Sequence, residues 1–255
     1  MTMVEWLKWQ IKRLRGIPPI QTAVPGRPPI PLVAYYHELL SYYPNCEMAT
    51  KRWFVQNARE DWVFFDCGAN VGYYALLFSS LAPKGRVYAF EPTKTHAMLL
   101  RNLRHNGAVN VVAERLALGR VGGRTAARLP RIWGHAWEGG EFEFTTLDDY
   151  VRNRGIGHVD CIKIDVDSHE FAVLMGAEET LSRFRPRLVI ELTDIALTLR
   201  GVFSTEVFAW LAAHGYSRAT VLDHTNYVFG NAGLTTRGDQ APSSLTLDFE
   251  PPFAP

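Results

Sequence analysis

A chain of 255 residues with 47% hydrophobic content is long enough to bury a full core, and one domain with an N-terminal extension is the natural count. The formal net charge of +1 argues against the large basic footprint that a nucleic-acid binder presents. No apolar run approaches the length of a membrane span, and the N-terminus lacks the charged-then-apolar order of a signal peptide.

In chain order, residues 3–15 predict an amphipathic helix. Leu7, Ile11 and Leu14 share a face with Trp6 beside them, while Lys8, Lys12, Arg13 and Arg15 crowd the rest. Such a helix packs on its own domain or on a twin subunit of a homo-oligomer; the alternative is peripheral contact with an anionic membrane. Gly16 ends it, and the proline-rich stretch 17–31 predicts an extended connector, not a packed element. Residues 32–59 read as a mostly helical, aromatic-rich cap that helps cover a pocket. The N-terminal extension, connector and cap thus occupy 1–59, and the main domain occupies 60–255. From Trp62 the rhythm is strand, helix, strand, helix. Strands fall at 62–67, 86–91, 110–116, 161–165 and 188–192, and helices at 73–81, 95–106, 170–184 and 205–214. This alternation predicts an α/β fold with a mostly parallel sheet covered on both faces. The Gly- and Arg-rich stretch 119–144 breaks it and reads as a substrate loop carrying Trp133, His135 and Trp137. The tail at 220–223, 227–229 and 244–249 has β character and predicts antiparallel edge strands. Cys67 and Cys161 lie within or at the end of predicted buried strands. With Cys46 they read as small core residues of a reducing compartment, so the expected location is cytoplasmic.

The first strand ends in Asp66-Cys67-Gly68-Ala69-Asn70-Val71-Gly72, and the second ends in Phe90-Glu91-Pro92. This is the layout of a βαβ unit that holds a nucleoside. A dinucleotide site would show G-x-G-x-x-G, and a P-loop would show its lysine. Here the pattern is D-x-G-x-x-x-G. An acid at Asp66 would repel a phosphate but suits the cationic amino-acid end of S-adenosylmethionine. Gly68 and Gly72 keep side chains clear of the turn, Asn70 helps to fix it, and Glu91 accepts hydrogen bonds from both ribose hydroxyls. Leu116 and Ala117, at the end of the third strand, line the adenine. Ligands of open parallel sheets lie beyond the carboxyl ends of the strands, so Asp165 and Glu191 face the same crevice. The acceptor-side candidates are Asp165 first, then Glu170, then His169, whose ordinary pKa suits a base. Asp165 has two readings, as proton acceptor or as cap of the next helix. A separate reading gives Asp165, Glu191 and Asp194 to Mg²⁺ as hard oxygen ligands.

Six segments together resemble the FkbM family: Asp66 to Gly72, Phe90-Glu91-Pro92, Thr146-Leu147-Asp148, Ile162 to Val166, Leu174 to Ala177 and Pro186 to Glu191. The resemblance covers roughly residues 60–215. It implies a class I Rossmann-like fold and S-adenosylmethionine-dependent O-methyl transfer to a hydroxyl of a sugar, glycolipid, polyketide or related natural product. The family pattern D-V-E-G-x-E is replaced by Asp165-Val166-Asp167-Ser168-His169-Glu170. A carboxylate is shortened there, and a glycine becomes serine at an angle glycine adopts more easily. Two rival readings remain. A base-modifying nucleic-acid methyltransferase would carry N/D-P-P-Y/F where Ile164-Asp165-Val166-Asp167 stands, and a non-catalytic cofactor-binding module is favoured only by the Asp167-Ser168 departure. The expected acceptor is a small molecule or saccharide, and no nucleic acid.

Overall fold

The structure, a computed structural model, describes residues 18–132, 136–223 and 225–230 and the backbone of 246–248. A hairpin of β1 (Ile20–Val24) and β2 (Arg27–Leu32) leads through a short 3-10 turn, His37–Leu39, to helix α1 (Met48–Asn57). The alternating unit follows as β3 (Val63–Cys67), α2 (Tyr73–Leu81), β4 (Arg86–Phe90), α3 (His96–His105) and β5 (Val111–Glu114). Next come β6 (Ala117–Leu118), β7 (Gly123–Ile132), β8 (Ala136–Thr145) and α4 (Leu147–Asn153). The remainder is β9 (Cys161–Ile164), α5 (Glu170–Met175), α6 (Glu178–Phe184), β10 (Arg187–Glu191), α7 (Asp194–Thr198), α8 (Ser204–Ala213), β11 (Arg218–Asp223), β12 (Asn226–Gly230) and β13 (Thr246–Asp248).

The main sheet runs in the order β13-β11-β12-β10-β9-β3-β4-β5. The five strands from β10 to β5 are parallel, and β12, β11 and β13 join antiparallel. This is the class I Rossmann-like α/β arrangement expected, with the antiparallel edge built by the tail. From β3 the chain winds outward to β4 and β5, then returns to place β9 and β10 on the other side. The carboxyl ends of β3 and β9 therefore flank the point where the strand order reverses, which is where ligands bind in open sheets.

Parallel strands covered on both faces need apolar side chains on both, and β3 is buried throughout. Phe64 joins the core under α1 and α2 with Phe54, Phe78 and Val87. Phe65 and Cys67 point the other way, toward Ile162, Ile164, Leu174 and Leu211. The three cysteines Cys46, Cys67 and Cys161 are buried thiols.

Five expectations need correction. The proline-rich stretch is a packed hairpin and not a free connector: Ile20, Val24, Ile30 and Leu32 are buried in the α1–α2 core. Its turn is Pro25-Gly26, with Gly26 at φ +66°, a position that glycine takes without a Cβ clash. The cap is less helical than expected, since most of 37–47 is turn before α1 begins. The stretch 119–144 is not a loop but a small sheet of its own, ordered β6-β8-β7. The long helix expected over 170–184 is two helices that meet at Gly176, where a Cβ would lie 2.1 Å from the Gly119 carbonyl oxygen. The chain thus turns where only glycine fits. The third strand also stops at Glu114, so Leu116 and Ala117 lie just past it. The helix expected at 3–15, Trp133 and His135 lie outside the described residues.

Candidate active site

The period of a strand is two residues, and that rule assembles the polar centre. Lys163 of β9 sits in register with Asp66 of β3. Asp66 and Lys163 share parity with Phe64 and Cys161, and Glu191 shares parity with Val189; all three of these apolar neighbours lie in the α1–α2 core. Asp165 continues the Lys163 row beyond the end of β9. Four ionisable side chains therefore gather on one face of the sheet at its carboxyl end.

Lys163 is 1% exposed. Its ammonium donates to Asp165 Oδ2 at 2.6 Å and lies 4.5 Å from the centre of the Tyr74 ring. Burial works against its charge, but Asp165, Glu47 and Asp66 outweigh burial and hold its pKa above the ordinary lysine value. Burial also opposes the charge on Asp165, yet the Lys163 ammonium leads the interactions that hold this carboxyl below its usual range. The charge of Asp165 first, and burial second, push Glu191 up to about 9. Thr225 donates to Glu191 Oε1 at 3.0 Å.

Above this row opens a pocket of about 420 Å³. On the β3–β4 side it is walled by Gly68, Asn70, Glu91 and Thr93, with an apolar slot of Phe90, Leu116, Leu118, Leu129 and Phe144. Glu91 is fixed before any ligand arrives. Oε1 accepts from the Thr93 amide at 3.0 Å and its hydroxyl at 2.6 Å, and Oε2 accepts from the Asn70 amide at 3.1 Å. Burial raises its pKa, and the Thr93 hydroxyl leads the donors that oppose this. Gly68 stands at φ +86°, and a Cβ there would lie 1.8 Å from the Asp165 carbonyl oxygen. Only glycine lets the ends of β3 and β9 close up in this way. Asn70, itself at φ +48°, donates through Nδ2 to the Arg131 carbonyl at 3.4 Å, which ties β7 across the pocket.

The sequence candidates divide. Gly68, Asn70, Glu91, Leu116, Ala117, Asp165 and His169 line the pocket. Asp66 does not: it is 1% exposed, lies under the floor beside Lys163, and its oxygens have no full hydrogen bond. Burial, only partly offset by Lys163, pushes it up to about 7. Gly72 is also off the lining and caps α2 at φ +91°. Glu170 turns back into its own loop, where Oε1 accepts from the amides of Val166 at 3.1 Å and Ser168 at 3.2 Å. It therefore shapes that turn. His169 Nε2 faces an Arg200 guanidinium nitrogen at 2.5 Å, and burial first, with that charge second, holds its pKa down to about 4. The trio expected for Mg²⁺ is not assembled, because Asp194 accepts from the Ser204 amide at 3.0 Å at the start of α8. Among the described residues no group of three or more His, Cys, Asp or Glu is placed to hold a metal ion.

Sequence reasoning gave Lys163 and Glu47 no role. Leu39, Tyr42 and Glu47 reach the pocket from the turns before α1, inside the stretch expected to cover it, and Leu129, Pro130 and Ile132 reach it from β7, inside the stretch expected to meet a substrate.

Residues 66–218 match the family model of the methyltransferase FkbM domain. The 31-O-demethyl-FK506 methyltransferase FkbM of Streptomyces tacrolimicus is 28% identical over 194 residues, 61% of this chain and 72% of that protein. Among solved structures, methyltransferase FkbM from Methylobacillus flagellatus KT is 20% identical with a TM-score of 0.48, covering 67% of this chain but only 44% of that one. The precorrin-6y C5,15-methyltransferase of Geobacter metallireducens GS-15 is 15% identical with a TM-score of 0.47, over 74% of this chain and 88% of that one.

Proposed function

The chain belongs to the FkbM methyltransferase family, and from that premise we propose that it transfers a methyl group from S-adenosylmethionine to a hydroxyl oxygen of a sugar, glycolipid, polyketide or related natural product. The observation that carries this reading is Glu91, a buried carboxylate at the end of β4 whose three internal donors leave one of its about four acceptor sites, on Oε2, for a ribose hydroxyl. Beside it, the slot of Phe90, Leu116, Leu118, Leu129 and Phe144 suits the flat apolar faces of an adenine. The cofactor would supply an activated methyl group on a positively charged sulfur.

On the far side, Asp165 meets the requirements of the proton acceptor. It lines the pocket, its partner Lys163 holds it as an anion, and it is placed for a hydroxyl that approaches from the β9–β10 side. Its carboxylate takes the hydroxyl proton as the oxygen attacks, a contribution of about 10²–10⁴ in rate. The pocket walls, with Gly68 at the floor and Leu129, Pro130 and Ile132 of β7 at the side, would supply the positioning part of the acceleration.

The test is calorimetry with S-adenosylhomocysteine, with NAD as control. The homocysteine ligand is expected to bind and raise the melting temperature by linkage, and NAD to do neither. Glu91→Ala should abolish most of the shift. Equal binding by wild type and Glu91→Ala would remove the assignment of the ribose site.

A further inference from the structure

Resting on the methyl-transfer reading above, we propose that Tyr42 and Glu47 form the wall that selects the acceptor, and that the acceptor is a saccharide whose ring lies on Tyr42 and whose hydroxyls donate to Glu47. Both residues line the pocket, and both precede the family-matched stretch 66–218. The family match therefore says nothing about them; the fold brings them in.

Glu47 is held in place from two sides. Tyr74 donates to Oε2 at 2.6 Å, and the Asn226 amide donates to Oε1 at 3.1 Å. Each oxygen keeps a second lone pair. The residue stands at φ +44° just ahead of α1, a left-handed conformation that costs a non-glycine residue about 1–2 kcal/mol. Tyr42 is 48% exposed although it stands on the pocket wall. Its ring packs edge to face against Tyr43, with centroids 6.2 Å apart, and leaves about half of its surface open with a polar tip.

The chemistry of the two halves then decides the acceptor class. The β3–β4 half contains the apolar slot. The rest of the lining is mostly polar, with Tyr42, Glu47, Asp165, Asp167, His169 and Glu191 beside the smaller apolar contributions of Leu39 and Val166. A polyketide hydroxyl comes attached to a large hydrocarbon surface and calls for apolar walls on its own side. A sugar presents a C–H face flanked by hydroxyl donors, which matches an exposed aromatic ring beside carboxyls.

The full chain is incubated with S-adenosylmethionine labelled at the methyl group and two acceptor panels, methyl glycosides of neutral hexoses and 6-deoxyhexoses, and macrolactones with free hydroxyls. Binding of S-adenosylhomocysteine is measured in parallel. The expected result is label in a glycoside. For that acceptor, Glu47→Gln should raise KM by about tenfold or more, the loss of a charged hydrogen bond, with kcat nearly unchanged and S-adenosylhomocysteine affinity unaltered. Tyr42→Ala should also raise KM, while Tyr42→Phe, which keeps the ring, should not. Tyr42 is exposed, so its variants carry the test even where Glu47→Gln folds poorly. Label in a macrolactone alone, or in neither panel while S-adenosylhomocysteine binds, overturns the saccharide assignment. Unchanged KM in Glu47→Gln and Tyr42→Ala overturns the wall. Failure of the wild type to bind S-adenosylhomocysteine instead strikes the underlying methyl-transfer reading.

Discussion

Lys163 reaches Asp165 from two residues earlier on the same strand, and its buried ammonium donates to that carboxylate at 2.6 Å. Asp66 stands beside the pair in register, so one cation serves two acids. Removing one partner of a buried pair leaves an uncompensated charge, at a cost of about 3–5 kcal/mol. Lys163→Met is therefore expected to lose stability on that scale in urea unfolding at neutral pH, far beyond the loss of a surface lysine. A cost below about 1 kcal/mol would mean that the acids take up protons and need no counter-charge.

Stability should fall as pH rises through the weakly acidic range. Burial pushes Asp66, Asp167 and Glu170 each up to about 7. An acid whose folded pKa lies above its unfolded value keeps its proton in the fold while the unfolded chain has already lost it. The folded state therefore binds more protons between about pH 4 and pH 7, and stability declines across that window. For Asp66, the distance from the ordinary 3.8 to about 7 corresponds to roughly 4 kcal/mol. Asp66→Asn has no proton to lose, so thermal unfolding from pH 4.5 to 8 should show a flatter slope and a more stable protein above pH 7. An unchanged slope would count against a protonated Asp66.

Ser168→Gly should stabilise the protein. Ser168 stands at φ +87°, where the family pattern has glycine, and the left-handed conformation costs a non-glycine residue about 1–3 kcal/mol. The serine hydroxyl accepts from Arg200 Nε at 3.2 Å. Arg200 is exposed, so that bond is worth less than a buried one, and release of the backbone should win by about 1 kcal/mol. Chemical denaturation of the two proteins measures the sign directly.

Gly68→Ala should do the reverse, and more severely. The added methyl would meet the Asp165 carbonyl oxygen at 1.8 Å, and the φ of +86° adds its own penalty. Together these amount to roughly 3 kcal/mol or more, with a loss of S-adenosylhomocysteine affinity as Asp165 is displaced. Gly107→Ala is the control. Its φ is +63°, but nothing lies within 4 Å of the new Cβ, so only the backbone penalty of about 1 kcal/mol applies.

What the sequence revealed was local. Glu91 and Gly68 are legible because an apolar run ending in an acid, and a glycine turn, are defined within a few residues. The edge strands β11 and β12 were legible from their β character alone. Lys163 was not, because its meaning depends on β9 lying beside β3, a neighbour nearly a hundred residues away, and strand order is written nowhere in the local pattern. The local partners of Glu170 and Asp194 were not legible for a related reason. An acid near a strand end looks catalytic until the amides it caps are known, those of Val166 and Ser168 for one and Ser204 for the other. The hairpin of β1 and β2 carried its own signal, the alternation of Ile20, Thr22 and Val24 before Pro25-Gly26. The prolines on its second strand outweighed that signal in the reading, though a two-stranded edge tolerates prolines.

The start of α1 bears on how the chain is made. The first free amides of this helix are satisfied by a residue from the far end of the domain: Asp223 accepts from Ala49 at 3.3 Å, from the Thr50 amide at 2.8 Å and from the Thr50 hydroxyl at 2.7 Å. Glu47 likewise waits for Asn226. During synthesis, domains gain structure from the N-terminus as the chain emerges, but this helix cannot be capped until β11 has left the ribosome. The βαβ unit can form early from its own neighbours, whereas the segment that carries Tyr42 and Glu47 locks last. A nascent chain released before Asp223 would hold the core strands and lack the finished wall.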